Sequence, residues 1–219
     1  DDPNAVSSLR RLFQQDENKA LRRLYVAALT QIPGEGSAVA LAQQAIFDAD
    51  AEVRYEALGG LSSSQVPAAL PLFVKALRND WNPAVVRAGT ALGQHGDEQV
   101  VPELINALVT EHQYKIRVPD ASGMSFSTDG SFSLGGGQQA ALPPEIEVML
   151  RTGQLPHGVI VTMPQSRLRR TKVVTINHQH QNVSVLGALR TITGENHGYD
   201  KTAWRVWFAK KKKGALPPE

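Results

Sequence analysis

The stretch "DADAEVRYEALGGL", residues 48 to 61, has echoes on both sides of it. Its second part, "EVRYEALGGL" (52 to 61), follows "ALRRLYVAAL" (20 to 29) at an interval of 32 residues, so Arg22 falls on Arg54 and Leu29 on Leu61. A third copy, "NPAVVRAGTALG", places Leu92 31 residues after Leu61. The segments that follow also match. "LPLFVKAL" (70 to 77) aligns with "VPELINAL" (101 to 108), setting Pro71 on Pro102, Phe73 on Leu104, Val74 on Ile105 and Leu77 on Leu108. Self-similarity at such a period marks a repeat architecture.

Each unit reads as two helices. In the first, Leu21, Leu24, Tyr25, Ala28 and Leu29 recur at three and four spacing. Breakers follow: "PGEGS" (33 to 37), "SSSQ" (62 to 65) and "GQHGD" (93 to 97). The second helix carries its own stripe, such as Leu70, Phe73, Val74 and Leu77. Ala57, Gly60, Ala88, Gly89 and Ala91 lie where neighbouring helices can approach closely. One helical hairpin leaves a face uncovered, whereas a stack of hairpins buries both, so the units pile into an α-solenoid.

An acidic turn before a "VR" pair, then a small-residue helix ending in "ALG", occurs in "DADAEVRYEALGGL" and "DWNPAVVRAGTALGQHGD". This pattern resembles bacterial HEAT repeats. The resemblance covers residues 16 to 111, with "NAVSSLRRLFQQ" (4 to 15) as an amino-terminal half-repeat. It implies a mainly α, armadillo-like superhelix whose usual work is binding or scaffolding proteins. The first pair departs from the pattern, with Leu21 for the usual Val and no proline in its second helix. The recurring Arg22 and Arg54 are expected to be structural, pairing with the acidic turn of a neighbouring unit (Asp48, Asp50 or Asp80).

After Thr110 the helical period fades. "YKIRV" (114 to 118) alternates like a strand and stops at Pro119. In "GMSFSTDGSFSLGGG" the apolar residues Met124, Phe126, Phe132 and Leu134 all have even numbers. A three-residue loop at Thr128-Asp129-Gly130 pairs Phe126 with Phe132 and keeps those residues on one face, whereas a two-residue loop splits them. A flexible tail, Gly135 to Gly137, is expected to follow. "PPEIEVMLRTG" (143 to 153) reads as a helix, and "HGVIVTM" (157 to 163) and "RTKVVTINHQH" (170 to 180) as strands. The expectation is a β-rich insertion at 112–181 with three to five strands.

Two helices then close the chain. Asn182 reads as a cap, Val185, Leu186, Leu189 and Ile192 as a stripe, and Gly194 as a stop. Asp200 caps the last helix, and Tyr199 and Trp204 are spaced as a hydrophobic staple. Trp204, Trp207 and Phe208 share one face, and Lys210 to Lys213 offset the dipole at the helix end. "TGENHGYDKTAWRVWFA" resembles the carboxy-terminal segment of exported bacterial HEAT-repeat proteins, in which a "TG…GYD…AW…W" pattern closes the domain. The expected organisation is HEAT repeats at 1–111, the insertion at 112–181, a closing helix pair at 182–213 and a tail at 214–219.

Candidate chemistry is sparse. His178 and His180, two apart on a strand, share a face, and His157 could join them around a metal. With no supporting Cys, Asp or Glu, they read as ordinary strand residues, and neither metal nor cofactor is expected. The glycines of 123 to 137 lack the G-K-[ST] ending of a phosphate loop, and no serine sits in a nucleophile elbow. Arg167, Arg169, Arg170 and Lys172 could contact an anion, but they fit a charged strand edge better.

The totals agree with a folded protein: 219 residues, 42% hydrophobic, 20% charged, no cysteine. No apolar run is long enough for a membrane span. Net charge is +2, unevenly spread. Residues 1 to 149 carry 11 Lys and Arg against 18 Asp and Glu, and residues 150 to 213 carry 12 against 2. The favoured reading is a non-enzymatic scaffold for a protein or peptide on the solenoid surface. Its rivals are nucleic-acid binding through the basic carboxy-terminal part and a HEAT-like enzyme of glycosylase or lyase type. A glycosylase would need a basic concave groove, and the repeats are acidic. The lack of cysteine, the absence of an initiator Met and the exported look-alikes favour an exported or periplasmic location.

Overall fold

The computed structural model describes residues 3–119, 124–126, 132–134, 138–140, 148, 161–162 and 171–214. The chain forms two compact units. One comprises Asp1–Asn79, Ala84–Leu108 and Asn182–Glu219, and the other Asp80–Pro83 and Val109–Gln181.

The first unit is helical. Its elements are α1 (Pro3–Phe13), α2 (Lys19–Gln31), α3 (Glu35–Phe47), α4 (Ala51–Gly59), α5 (Val66–Ala76), α6 (Asn82–His95), a short 3-10 turn (Glu98–Val100), α7 (Val101–Ala107), α8 (Val183–Thr193) and α9 (Lys201–Lys212). Acidic or amide residues cap several of the helices. Asn18 accepts from Ala20 N, Asp50 from Glu52 N and Val53 N, and Asp200 from Thr202 N and Ala203 N. Each cap satisfies backbone donors that the first helical turn leaves free.

The apolar stripes meet in one seam. Tyr25, Leu29, Leu41, Ile46, Val53, Ala57, Phe73, Ala88, Leu92 and Leu104 are all buried. One polar clasp interrupts it: Gln65, at the start of α5, donates to Ser37 Oγ (3.0 Å) and to Ile32 O (3.2 Å) near the start of α3. Paired polar groups of this kind cost little to bury and hold successive second helices in parallel.

The stack resumes after the second unit. The chain leaves α7 at Leu108 and returns at Asn182, whose backbone N–H donates to Leu108 O at 3.0 Å. Asn182 occupies the cap position of α8 but makes no side-chain cap bond; its Nδ2 donates instead to Ala107 O at 2.8 Å. The predicted cap is thus a clasp that joins the two ends of the interruption. Small residues then admit α8 against α6. A Cβ on Gly89 would lie 2.8 Å from Val185 N, and one on Gly93 would lie 3.3 Å from Ala188 Cα.

Helix α9 runs back along α7. Its start meets the end of α7, where Lys201 Nζ donates to Asn106 O (2.8 Å) and Arg205 to Asn106 Oδ1 (3.0 Å). Its end meets the 3-10 turn, where Lys211 pairs with Glu98 at 2.7 Å. The reversal follows Gly194 and Gly198, both with positive φ (75° and 56°), a conformation that suits glycine.

Among the described residues, the second unit holds two three-stranded sheets. In the first, β1 (Val109–Pro119) lies between β5 (Val161–Thr162), parallel to it, and β6 (Thr171–Gln181), antiparallel. The β1–β6 ladder runs from Val109 opposite Gln181 to Pro119 opposite Thr171. It begins before the expected residue 112, because Val109 to Glu111 already pair with Gln179 to Gln181. In the second sheet, β2 (Met124–Phe126), β3 (Phe132–Leu134) and β4 (Gln138–Ala140) are antiparallel neighbours. Met124 stands opposite Leu134 and Phe126 opposite Phe132, the register that the alternation requires. Strand β4 raises the number of strands above the three to five expected, since Gln-Gln-Ala offers no alternation to read. The loop 128–130, the glycines 135–137 and, apart from Val148, the helix expected at 143–153 lie outside the described residues. Among the described residues no helix is long and apolar enough to cross a membrane.

Candidate functional site

Three arginines from three successive first helices converge on the turn after α3. Arg22 of α2 makes two bonds to the Asp48 carboxylate (2.9 and 3.3 Å). Arg54 of α4 donates to the carbonyls of Asp48 and Ala49, both at 2.8 Å. Arg87 of α6 donates to Ile46 O (2.6 Å) and Asp48 O (3.4 Å). The carboxylate is buried, and it also accepts from Gln44 Nε2 (3.4 Å) and from the backbone N–H of Asp50 (2.8 Å). Burial, with the Arg54 charge alongside, pulls the Arg87 guanidinium down to about 10; Asp48 draws it part of the way back. Outside this hub, Lys19 and Arg23 reach Asp50, Glu52 and Glu56. Much of the acidic excess of the repeats is therefore matched by its own neighbouring helices.

Beside the hub runs an open groove. Arg10, Arg11 and Leu12 of α1 line one stretch, and Gln44 and Phe47 of α3 the other; Gln14, Gln15 and Asp16 are common to both. Two of its apolar side chains stand open to solvent, Leu12 at 59% and Phe47 at 47%. Gln14, Gln15 and Gln44 are among its lining residues; Gln14 Nε2 donates to Gln43 Oε1 (3.3 Å) and Gln44 Nε2 to Gln14 O (3.3 Å). Apolar anchors, amide groups and two arginines suit an extended peptide better than a reacting small molecule.

In the second unit, imidazoles gather on one face of the β1–β6 ladder. His112 stands opposite His178, and the His180 ring is 4.6 Å from His178 and 5.4 Å from His112. Tyr114 Oη meets His180 Nε2 at 2.8 Å. The nitrogens of His112 meet Asp80 O (2.7 Å) and Thr110 Oγ1 (2.8 Å). Burial, reinforced by His178 and His112, lowers His180 to about 4, and burial also lowers His178. Burial pushes the Tyr114 hydroxyl up to about 12, so it stays protonated and able to donate to a neutral Nε2.

Comparison with known families fits the helical unit. Residues 6–90 match the family of HEAT repeats, and residues 85–110 match the PBS lyase HEAT-like repeat. Residues 6–110 thus carry repeats of the HEAT type. No curated protein and no solved structure matches the chain.

Within the HEAT repeats, Arg22 does pair with Asp48 of the next unit. Arg54 does not take the acidic partner expected of it and binds carbonyls of its own preceding turn. Arg22 binds Asp16 O and Glu17 O in the same way, which gives the recurring arginine a shared local role. Arg87, the arginine of the second "VR" pair, was not singled out, because the register that sets Leu61 on Leu92 places Val85 rather than Arg87 on Arg54.

At the closing end, Trp204 and Trp207 are buried, with rings 5.9 Å apart and nearly perpendicular (88°). Trp204 Nε1 donates to Gly198 O at 2.9 Å. The ring packed on Trp204 at 4.7 Å is that of His197, which the sequence reading passed over. Tyr199 and Phe208 are half-buried. In the second unit the rings of His178 and His180 do lie together, but His157 lies outside the described residues. Among the described residues no group of three His, Asp or Glu is arranged to hold a metal. Arg167, Arg169 and Arg170 and the Lys172 side chain also lie outside them; the Lys172 backbone pairs with Val118 in the ladder.

Proposed function

We propose that the protein is a non-enzymatic scaffold that binds a protein or peptide segment along the groove between Leu12 and Phe47. The observation carrying this reading is the open exposure of two large apolar side chains at a groove that amide side chains help to line. Binding energy at such surfaces concentrates in a few apolar anchors. The HEAT-repeat match supports the same reading at the level of the family.

The nucleic-acid alternative loses its main attraction once the aromatic rings are located. Trp204 and Trp207 are sealed in the core and offer no face for base stacking. For the enzyme alternative, a carboxylate held neutral by burial would count in favour. Yet Asp50 and Glu52 shift toward the charged form. In Asp50 burial works the other way and is overcome by hydrogen bonds from Lys19 and from the backbone; in Glu52 the Lys19 hydrogen bond dominates.

The test is quantitative capture of partners from cell extract by the wild type and by a Leu12→Ser/Phe47→Ser variant. Both sites are exposed, so folding should survive, which far-UV circular dichroism will check. Captured partner should fall by about tenfold or more, the loss of about 1.4 kcal/mol or more. Tyr55→Ser, at an exposed apolar position away from the groove, should have little effect. Equal capture by the double variant and the wild type would refute the groove as the binding surface.

A further inference from the structure

The imidazole cluster is not used by the scaffold reading. It occupies the strand pair through which the chain departs from Leu108 and comes back to Asn182. Four ring-bearing residues share one face: His112 and Tyr114 from β1, His178 and His180 from β6. His112, Tyr114 and His180 are buried, at 5%, 3% and 4% exposure. The β1–β6 ladder is the longest in the second unit, and the cluster lies toward the end where the chain enters and leaves it.

We propose that the His112–His178–His180 cluster is an acid-sensitive latch on the β1–β6 ladder, closed while the imidazoles are neutral and loosened when they take up protons. Three imidazoles in ring contact cannot all become cations without mutual repulsion in a buried setting. Among the described residues, the charged side chains of the two strands stand away from the cluster. By strand alternation Glu111, Lys115 and Arg117 of β1 lie on the opposite, exposed face, as does Gln179 of β6. Thr175 and Asn177 of β6 alternate with the histidines in the same way. His112 Nδ1 meets the Asp80 backbone carbonyl, and Asp80 itself is exposed. Burial sets the direction for His178, and burial together with His178 and His112 sets it for His180. Tyr114 fits the neutral state, because its hydroxyl can donate to an unprotonated His180 Nε2 at 2.8 Å.

The latch is tested by hydrogen–deuterium exchange mass spectrometry on the whole chain at about pH 7.5 and about pH 5, after correction for intrinsic exchange. Peptides covering Val109–Tyr114 and Ile176–Gln181 should lose protection by about tenfold or more at the lower pH, while α2 to α5 keep theirs. His180→Gln retains an acceptor for Tyr114 and cannot take up a proton, so its pH response should shrink. His178→Gln, at a less buried position, provides the same comparison should His180→Gln fail to fold. Wild-type protection unchanged between the two pH values would overturn the proposal. So would variants that lose protection at low pH as fully as the wild type does.

Discussion

Asp48 shows how much one side chain can hold. Its carboxylate is buried, with 1% of the side chain exposed, and is met by Arg22, itself only 11% exposed, by Gln44 and by a backbone N–H. Asp48→Ala would strand Arg22 in a partly buried position, and breaking a buried pair by removing one partner costs about 3–5 kcal/mol. Urea unfolding should therefore show a large drop in midpoint for Asp48→Ala and a smaller one for Asp48→Asn, which retains one acceptor oxygen. His180 carries a stability term of definite sign. Its folded pKa, about 4, lies below the usual 6.5, so the unfolded chain binds the proton more readily. The stabilisation is complete above the usual value and is lost as pH falls from there toward 4; it amounts to about 3 kcal/mol. An imidazole titration followed by NMR should find the His180 transition well below the ordinary range, and a transition near 6.5 would remove this term. The recurrence of Arg22 and Arg54 was legible in the sequence, because their neighbours repeat with them. Their partners were only half legible, since a carbonyl acceptor leaves no trace in residue type.

Among the elements, the helices were the most readable and the strands the least, for a physical reason. A helix announces itself through neighbours three and four apart, whereas a strand is fixed by a partner elsewhere in the chain. β1 and β6 pair along their full length although residues 120–170 intervene, so His112 could not be seen to join His178 and His180. The β2–β3 register was readable because its partners are close in sequence and one register alone keeps four apolar residues on one face. Two helix contacts make sharp predictions. Gly89 lies in α6 where a Cβ would meet the backbone of α8 at 2.8 Å. Alanine normally favours a helix over glycine by about 1 kcal/mol, yet Gly89→Ala should destabilise by about 1–3 kcal/mol because the two helices must separate. A rise in thermal midpoint for this variant would contradict the close approach of α6 and α8. Trp204 is fully buried and hydrogen-bonded, so Trp204→Ala should cost about 3–5 kcal/mol, while Phe208→Ala, at a half-buried position on the same helix, should cost much less.

At the scale of the molecule, the helical unit is a stack whose last two helices are separated in sequence, but not in space, from the rest of it. Leu108 and Asn182 are joined by a backbone hydrogen bond and by the Asn182 side chain, so the seam from α7 to α8 continues across the gap. The interruption was legible as a change of period after Thr110. The closing clasp was not, because Asn182 looks like an ordinary cap. The reversed course of α9 was also hidden, since the glycines that turn the chain do not say which helix it will lie along. The most direct test is to excise residues 109–181, join Leu108 to Asn182 with a linker of about four residues, and follow thermal unfolding by circular dichroism at the helical band. A self-contained stack closed by α9 should give the full helical signal and one cooperative transition. A broad, non-cooperative melt or the loss of most of the helical signal would contradict it.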